Sequence, residues 1–186
     1  MSTTSTPAER SYDPIHKTSM AFERERDGLW VTTRLEPGGH LPEHFHPTLT
    51  EAWEVLDGSA GVKLEGTWRE LTAADGPVLV EPFVRHELRN TSESTAHLRC
   101  WVTPPGQLEA FLTESARAAR EGLYDGHNMP TSLAGVAWIS EFALRFRDEI
   151  VMCSPPPAVQ KLLLPVAARL TRRHRPIEVA SPGRAG

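Results

Sequence analysis

Short apolar runs recur every eight to twelve residues from Ser19 to Pro104, and each is bounded by Gly, Pro, Asp or Asn. That spacing allows antiparallel strands in a sandwich or barrel and leaves no room for helices of ordinary length. The strands it predicts are Met20 to Glu25, Leu29 to Leu35, Glu43 to His46, Glu51 to Leu56, Gly61 to Leu64, Thr67 to Leu71, Val78 to Val80, His86 to Arg89 and Ala96 to Thr103. Asp57-Gly58 and Glu65-Gly66 supply tight turns. No internal repeat is present, so the pattern describes one barrel.

Past Pro104-Pro105-Gly106 the apolar period changes from two to about 3.6. Leu108, Phe111, Leu112, Ser115, Ala116 and Ala119 share the face of a first helix. A second is predicted over Ser132 to Glu149, with Ser132 as its N-cap. A third starts within Pro155-Pro156-Pro157, is kinked at Pro165, and carries the stripe Val159, Leu162, Leu163, Val166 and Leu170. Arg169, Arg172, Arg173 and Arg175 lie beside that stripe. Such a pattern also suits an anionic or membrane surface; packing on the barrel or on a second subunit is the expected explanation. The chain thus divides into a disordered arm over 1–18, a β-barrel over 19–105, a helical extension packed on the barrel over 106–175, and a flexible tail over 176–186.

Charge and cysteine content narrow the function classes. Residues 1–105 carry 10 basic and 16 acidic side chains, so the barrel is no nucleic-acid surface. Cys100 and Cys153 lack the Cys-x2-Cys spacing of a zinc ribbon and form no disulfide framework, which suits a reducing, cytoplasmic setting. The Ser- and Thr-rich start has no apolar core of a signal peptide, and no stretch reaches the roughly 20 apolar residues of a membrane span.

Within the strand region the residues read Gly38-x5-His44-x-His46-x4-Glu51-x6-Gly58, followed by Pro82, His86 and Asn90. With 8 histidines in 186 residues, chance gives about 0.3 His-x-His pairs, so the pair alone means little. The added Glu51, the bracketing glycines and the later His-x3-Asn make the whole pattern informative. Alternation turns His44 and His46 to one side of their strand, with Glu51, Trp53 and Val55 inward on the next, Ala52, Glu54 and Leu56 outward, and His86 completing the set from across the barrel. Three imidazoles and a carboxylate suit one divalent transition ion, whether Fe, Mn, Co, Ni, Cu or Zn. Trp53, Trp30 and Trp101 are candidates for an aromatic pocket wall, and His40 for its mouth.

These residues resemble the two motifs of the cupin superfamily over about Leu29 to Val102. The first motif matches at every position. The second, usually Pro-x-Gly-x2-His, is here Pro82-Phe83-Val84-Arg85-His86, one residue shorter and without glycine. The resemblance implies a mainly β double-stranded β-helix, or jelly-roll, barrel followed by about three helices. It also implies metal ligation by His44, His46, Glu51 and His86, a small-molecule substrate and a homodimer. The expected function is a metal-dependent, dioxygenase-like enzyme that oxygenates a small enol or phenol, with Glu51 as catalytic base. A non-redox cyclase or isomerase on a polyketide-like substrate, as in secondary metabolism, and a non-catalytic metal- or metabolite-binding protein are the alternatives.

Overall fold

The computed structural model describes residues 11–174. Eleven strands are present among the described residues: β1 (Ser11–Asp13), β2 (Thr18–Arg24), β3 (Leu29–Leu35), β4 (His40–Phe45), β5 (Thr50–Asp57), β6 (Ser59–Leu64), β7 (Thr67–Thr72), β8 (Val78–Val80), β9 (His86–Arg89), β10 (Ala96–Thr103) and β11 (Val151–Met152). They form two antiparallel sheets, ordered β1-β2-β3-β10-β5-β8 and β11-β4-β9-β6-β7. The sheets face each other as a double-stranded β-helix. Strict alternation builds the core between them: Leu29, Val31 and Leu35 on β3 and Leu98, Cys100 and Val102 on β10 are buried, as are Val62, Leu71 and Leu88 of the opposing sheet. The β6–β7 hairpin turns on Glu65 and Gly66, whose φ values of 48° and 86° match the right-handed twist of the flanking strands.

Three helices follow the barrel strands: α1 (Leu108–Arg120), α2 (Leu133–Arg145) and α3 (Pro157–Leu170), the last leading into a 3-10 turn over Arg172–His174. On α1, Leu108 and Ala116 are buried as the helical period requires. Ser132 caps α2, its hydroxyl accepting from the Gly135 amide at 3.1 Å. A second aromatic core joins the helices, with the Phe142 ring 4.4 Å from Trp138, 4.7 Å from Phe111 and 5.0 Å from Phe146. Gly135 lets α2 lie against the preceding loop, because a Cβ there would stand 2.2 Å from the Leu123 carbonyl oxygen. Gly135→Ala is therefore expected to cost about 1–3 kcal/mol, read as a lower urea midpoint; an unchanged midpoint would show that the loop yields freely.

Four features differ from the sequence expectation. Residues 11–18, assigned to a disordered arm, form β1, a turn and the start of β2, because Asp13 fixes the turn by accepting from the Ile15 and His16 amides at 2.8 and 3.0 Å. Residues 1–10 and the tail 176–186 lie outside the described residues. α2 ends at Arg145 rather than at Glu149. The chain after it adds β11 to the edge of β4, with Met152 opposite His44, so the C-terminal part completes a barrel sheet as well as covering it. Finally, α3 is turned the other way round. Gln160, Leu164, Ala167, Ala168 and Thr171 are its more buried residues, while Val159, Leu162, Leu163, Val166 and Leu170 are exposed.

Candidate metal centre

β4 and β9 are neighbours, and His44 stands directly opposite His86 in their register. The ladder shifts between Leu41 and His44, where Pro42 has no amide to donate. His46 follows the end of β4. Glu51 comes from β5, in the opposing sheet. The sequence pattern places His86 across the barrel; it is instead the neighbour of His44, and the carboxylate makes the crossing. One ligand atom from each of the four residues lies within 4.8 Å of the others, and all four residues are buried.

The tautomers of the imidazoles follow from their outer hydrogen bonds. His44 Nδ1 donates to the Pro42 carbonyl at 2.6 Å, His46 Nδ1 to the Glu149 carbonyl at 2.7 Å, and His86 Nδ1 to the Val84 carbonyl at 3.0 Å. Each Nε2 is thereby left as the lone-pair atom, in the arrangement of a metal-ligating histidine oriented by backbone carbonyls. Nε2 of His46 and of His86 lie 3.4 and 3.0 Å from Glu51 Oε2, yet neither has a hydrogen-bond partner of acceptable geometry. Buried lone pairs at that separation repel unless a cation lies between them, and one transition ion would satisfy all four donors together. The residues therefore fit the ion that the motif implies.

The electrostatics differ from donor to donor. Burial, reinforced by the neighbouring His86 and His46, pushes His44 well below the usual histidine range, so it stays neutral as a ligand must. Burial alone would raise Glu51, but His46 and His86 hold it well below the usual carboxylate range. Burial alone would likewise lower His46; the Glu51 carboxylate outweighs that and raises it. Trp53 Nε1 donates to Glu51 Oε2 at 2.9 Å, two residues along the same face of β5.

The cluster lies in the wall of a cavity of about 660 Å³, lined by residues that include Met20, Val31, Trp53, Phe111 and Phe142. Of the other sequence candidates, only Trp53 is among them. Trp30 and Trp101 meet at 4.9 Å, tilted 52° to each other, on the outer face of the six-stranded sheet, because Val31 and Cys100 take the inward positions of their strands. His40 stands edge-on to the cavity-lining His16 at 5.2 Å and is not itself among the lining residues. Asn90 braces the turn after β9, donating to the Leu35 and Ser94 carbonyls at 2.8 and 2.7 Å. The glycine-free turn before His86 is made by Phe83 at φ 67°, held by its amide donating to the His46 carbonyl at 2.8 Å. Such a conformation in a residue with a side chain costs on the order of 1 kcal/mol.

Sequence reasoning missed the carbonyl that orients His46, since Glu149 contributes through its backbone and lies more than a hundred residues away. It also missed the donor role of Trp53. A Trp two residues after an inward carboxylate was the available signal.

A double-stranded β-helix enclosing a buried cluster of three histidines and one glutamate is thus the class that fold and site define. Residues 31–103 match the family model described as the cupin domain, so the barrel part of the chain is similar to that domain, and helices follow it. Solved structures similar over this region include a protein with a double-stranded β-helix domain from Klebsiella pneumoniae subsp. pneumoniae, 23% identical over 47% of this chain and 76% of that one, with a TM-score of 0.43. A predicted oxalate decarboxylase from Thermotoga maritima is 18% identical over 46% of this chain and 79% of that one, with a TM-score of 0.43. The cupin domain of an XRE family transcriptional regulator from Enterobacter cloacae is 22% identical over 47% and 97%, with a TM-score of 0.42. No curated protein matches the chain in sequence. Among the described residues, no helix is long and apolar enough to cross a membrane.

Proposed function

We propose that this cupin is a metal-dependent enzyme acting on a small apolar or aromatic molecule inside the barrel, and that its reaction is oxygenation of an enol or phenol. One observation carries the reading: a buried cluster of four donors opens onto a largely apolar cavity of about 660 Å³. Such a cavity has the size and lining of a small-molecule site. An ion held by His44, His46, Glu51 and His86 would supply Lewis acidity and, if redox-active, electrons for dioxygen chemistry.

The remaining work falls to the chain itself. The carbonyls of Pro42, Glu149 and Val84 fix the three rings in the tautomer that presents Nε2 inward. Trp53 holds the Glu51 carboxylate in place. Met20, Val31, Phe111 and Phe142 present apolar walls that exclude water and favour an apolar ring. Glu51 is the candidate base for the hydroxyl proton of an enol or phenol.

Protein loaded separately with Fe(II), Mn(II), Ni(II) or Zn(II) is expected to consume dioxygen with candidate phenols or enols only when the ion is redox-active, and Glu51→Gln to abolish uptake. Turnover under strict anaerobiosis would replace this reading with the cyclase or isomerase. Tight binding without turnover under any loading would leave a non-catalytic binding protein.

A further inference from the structure

We infer that α3 is an interfacial helix that docks the mouth of the cavity onto an anionic lipid bilayer. A surface helix ordinarily hides its large aliphatic side chains and shows its polar ones. Here the inner stripe is small or polar except for Leu164, and the exposed face carries Leu162 at 74% and Leu170 at 76% of full exposure, with Val159, Leu163 and Val166 beside them. That face is the one that needs a cover.

Charge identifies the cover. Between Val151 and His174 there is no acidic residue, whereas Lys161, Arg169, Arg172 and Arg173 are all present and exposed. The chain as a whole is at −4, so the rest of it is more acidic still. A contiguous aliphatic strip flanked by cations matches acyl chains bordered by anionic headgroups. A second copy of the same helix offers no acidic counterpart and brings like charges together. At 14 residues α3 is about 21 Å long, too short to span a bilayer and suited to lying in its surface.

Position gives the docking a purpose. Pro157, Gln160, Lys161 and Leu164 of α3 line the same cavity as the metal cluster, together with Phe83, which is 66% exposed. The helix that carries the exposed strip therefore also lines the cavity. A substrate that partitions into membranes would enter from the bilayer without crossing water; this last step rests on the proposed function, and the docking does not.

The test is co-sedimentation of the full chain with vesicles of phosphatidylglycerol and phosphatidylcholine, against vesicles of phosphatidylcholine alone. Binding to the anionic vesicles is expected, weakening as salt is raised. Leu163→Glu with Leu170→Glu should reduce it at least about ten-fold, and Arg172→Gln or Arg173→Gln about five-fold each. All four positions are exposed, so the unfolding midpoint should not move. His46→Ala should bind vesicles like the wild type, which separates this inference from the metal reading. Absence of binding to anionic vesicles, or binding indifferent to the leucine variant, would overturn it. So would a dimer in solution that the leucine variant turns into a monomer, since the face would then belong to a second copy.

Discussion

Replacing His86 with alanine lowers affinity for a divalent transition ion by more than about 100-fold while the barrel stays folded. The magnitude follows from what remains. Loss of an outer-shell partner of a metal ligand typically costs about 10–100-fold, and here a donor atom itself goes. His86 is wholly buried, stands opposite His44 on the adjacent strand and approaches Glu51 Oε2 at 3.0 Å. Without it the remaining three donors keep their braces, so the site is present but one ligand short. His40→Ala is the matched control, because that residue lies on the same strand as His44 yet outside the donor cluster and the cavity lining. Metal analysis after equilibrium dialysis separates the outcomes. A content unchanged in the His86 variant would remove the metal from the account of this protein, and an equal loss in the His40 variant would show that β4 had been disturbed as a whole.

The barrel and its four donors are legible in the sequence because both rest on period-two alternation. β3, β8, β9 and β10 begin and end at the residues the apolar pattern marks. The same rule, carried through, also places the two tryptophans that face outward: once Cys100 is inward between Leu98 and Val102, Trp101 must point out, and its cross-strand partner Trp30 with it. What alternation cannot supply is which strands become neighbours. That is why the pattern alone sets His86 across the barrel, whereas the register puts it beside His44 and leaves Glu51 in the opposing sheet. The short strands β1 and β11 escape for a related reason. Three and two residues are too few to show a period, and both are held by partners distant in sequence: β1 through Tyr124, and β11 through β4. The third helix is legible as a helix but not in its orientation. Its large aliphatics form the obvious stripe, and only tertiary contacts reveal that a smaller stripe of Gln160, Leu164, Ala167, Ala168 and Thr171 faces the protein.

Asp13→Asn is expected to destabilise the fold by about 2–4 kcal/mol. Asp13 is 6% exposed and accepts four hydrogen bonds: Oδ1 from the Ile15 and His16 amides, Oδ2 from His16 Nδ1 at 2.8 Å and the Tyr124 hydroxyl at 3.1 Å. Ser115 meets the same hydroxyl at 3.1 Å, and His16 Nε2 meets Asn128 at 3.1 Å, so one carboxylate ties the first strand to the chain following α1. Asparagine can still accept from the turn amides through its oxygen, but its NH2 faces the donors of His16 and Tyr124 and leaves them buried without an acceptor. In a domain of this size the loss corresponds to roughly 5–15 °C in Tm. Its pH dependence has a definite sign. Burial alone would raise the Asp13 carboxyl, but the hydrogen bonds and charge of His16 win and hold it below the ordinary aspartate value. A carboxyl depressed by folding stabilises above its unfolded pKa of about 3.9 and stops doing so as pH falls through the folded value. The gap between wild type and variant in urea unfolding should therefore be full at pH 7, persist to about pH 5 and close below about pH 4. A gap independent of pH across that range would mean that the amide is tolerated electrostatically and disrupts packing alone, whereas no gap at pH 7 would show that β1 is not fastened through Asp13.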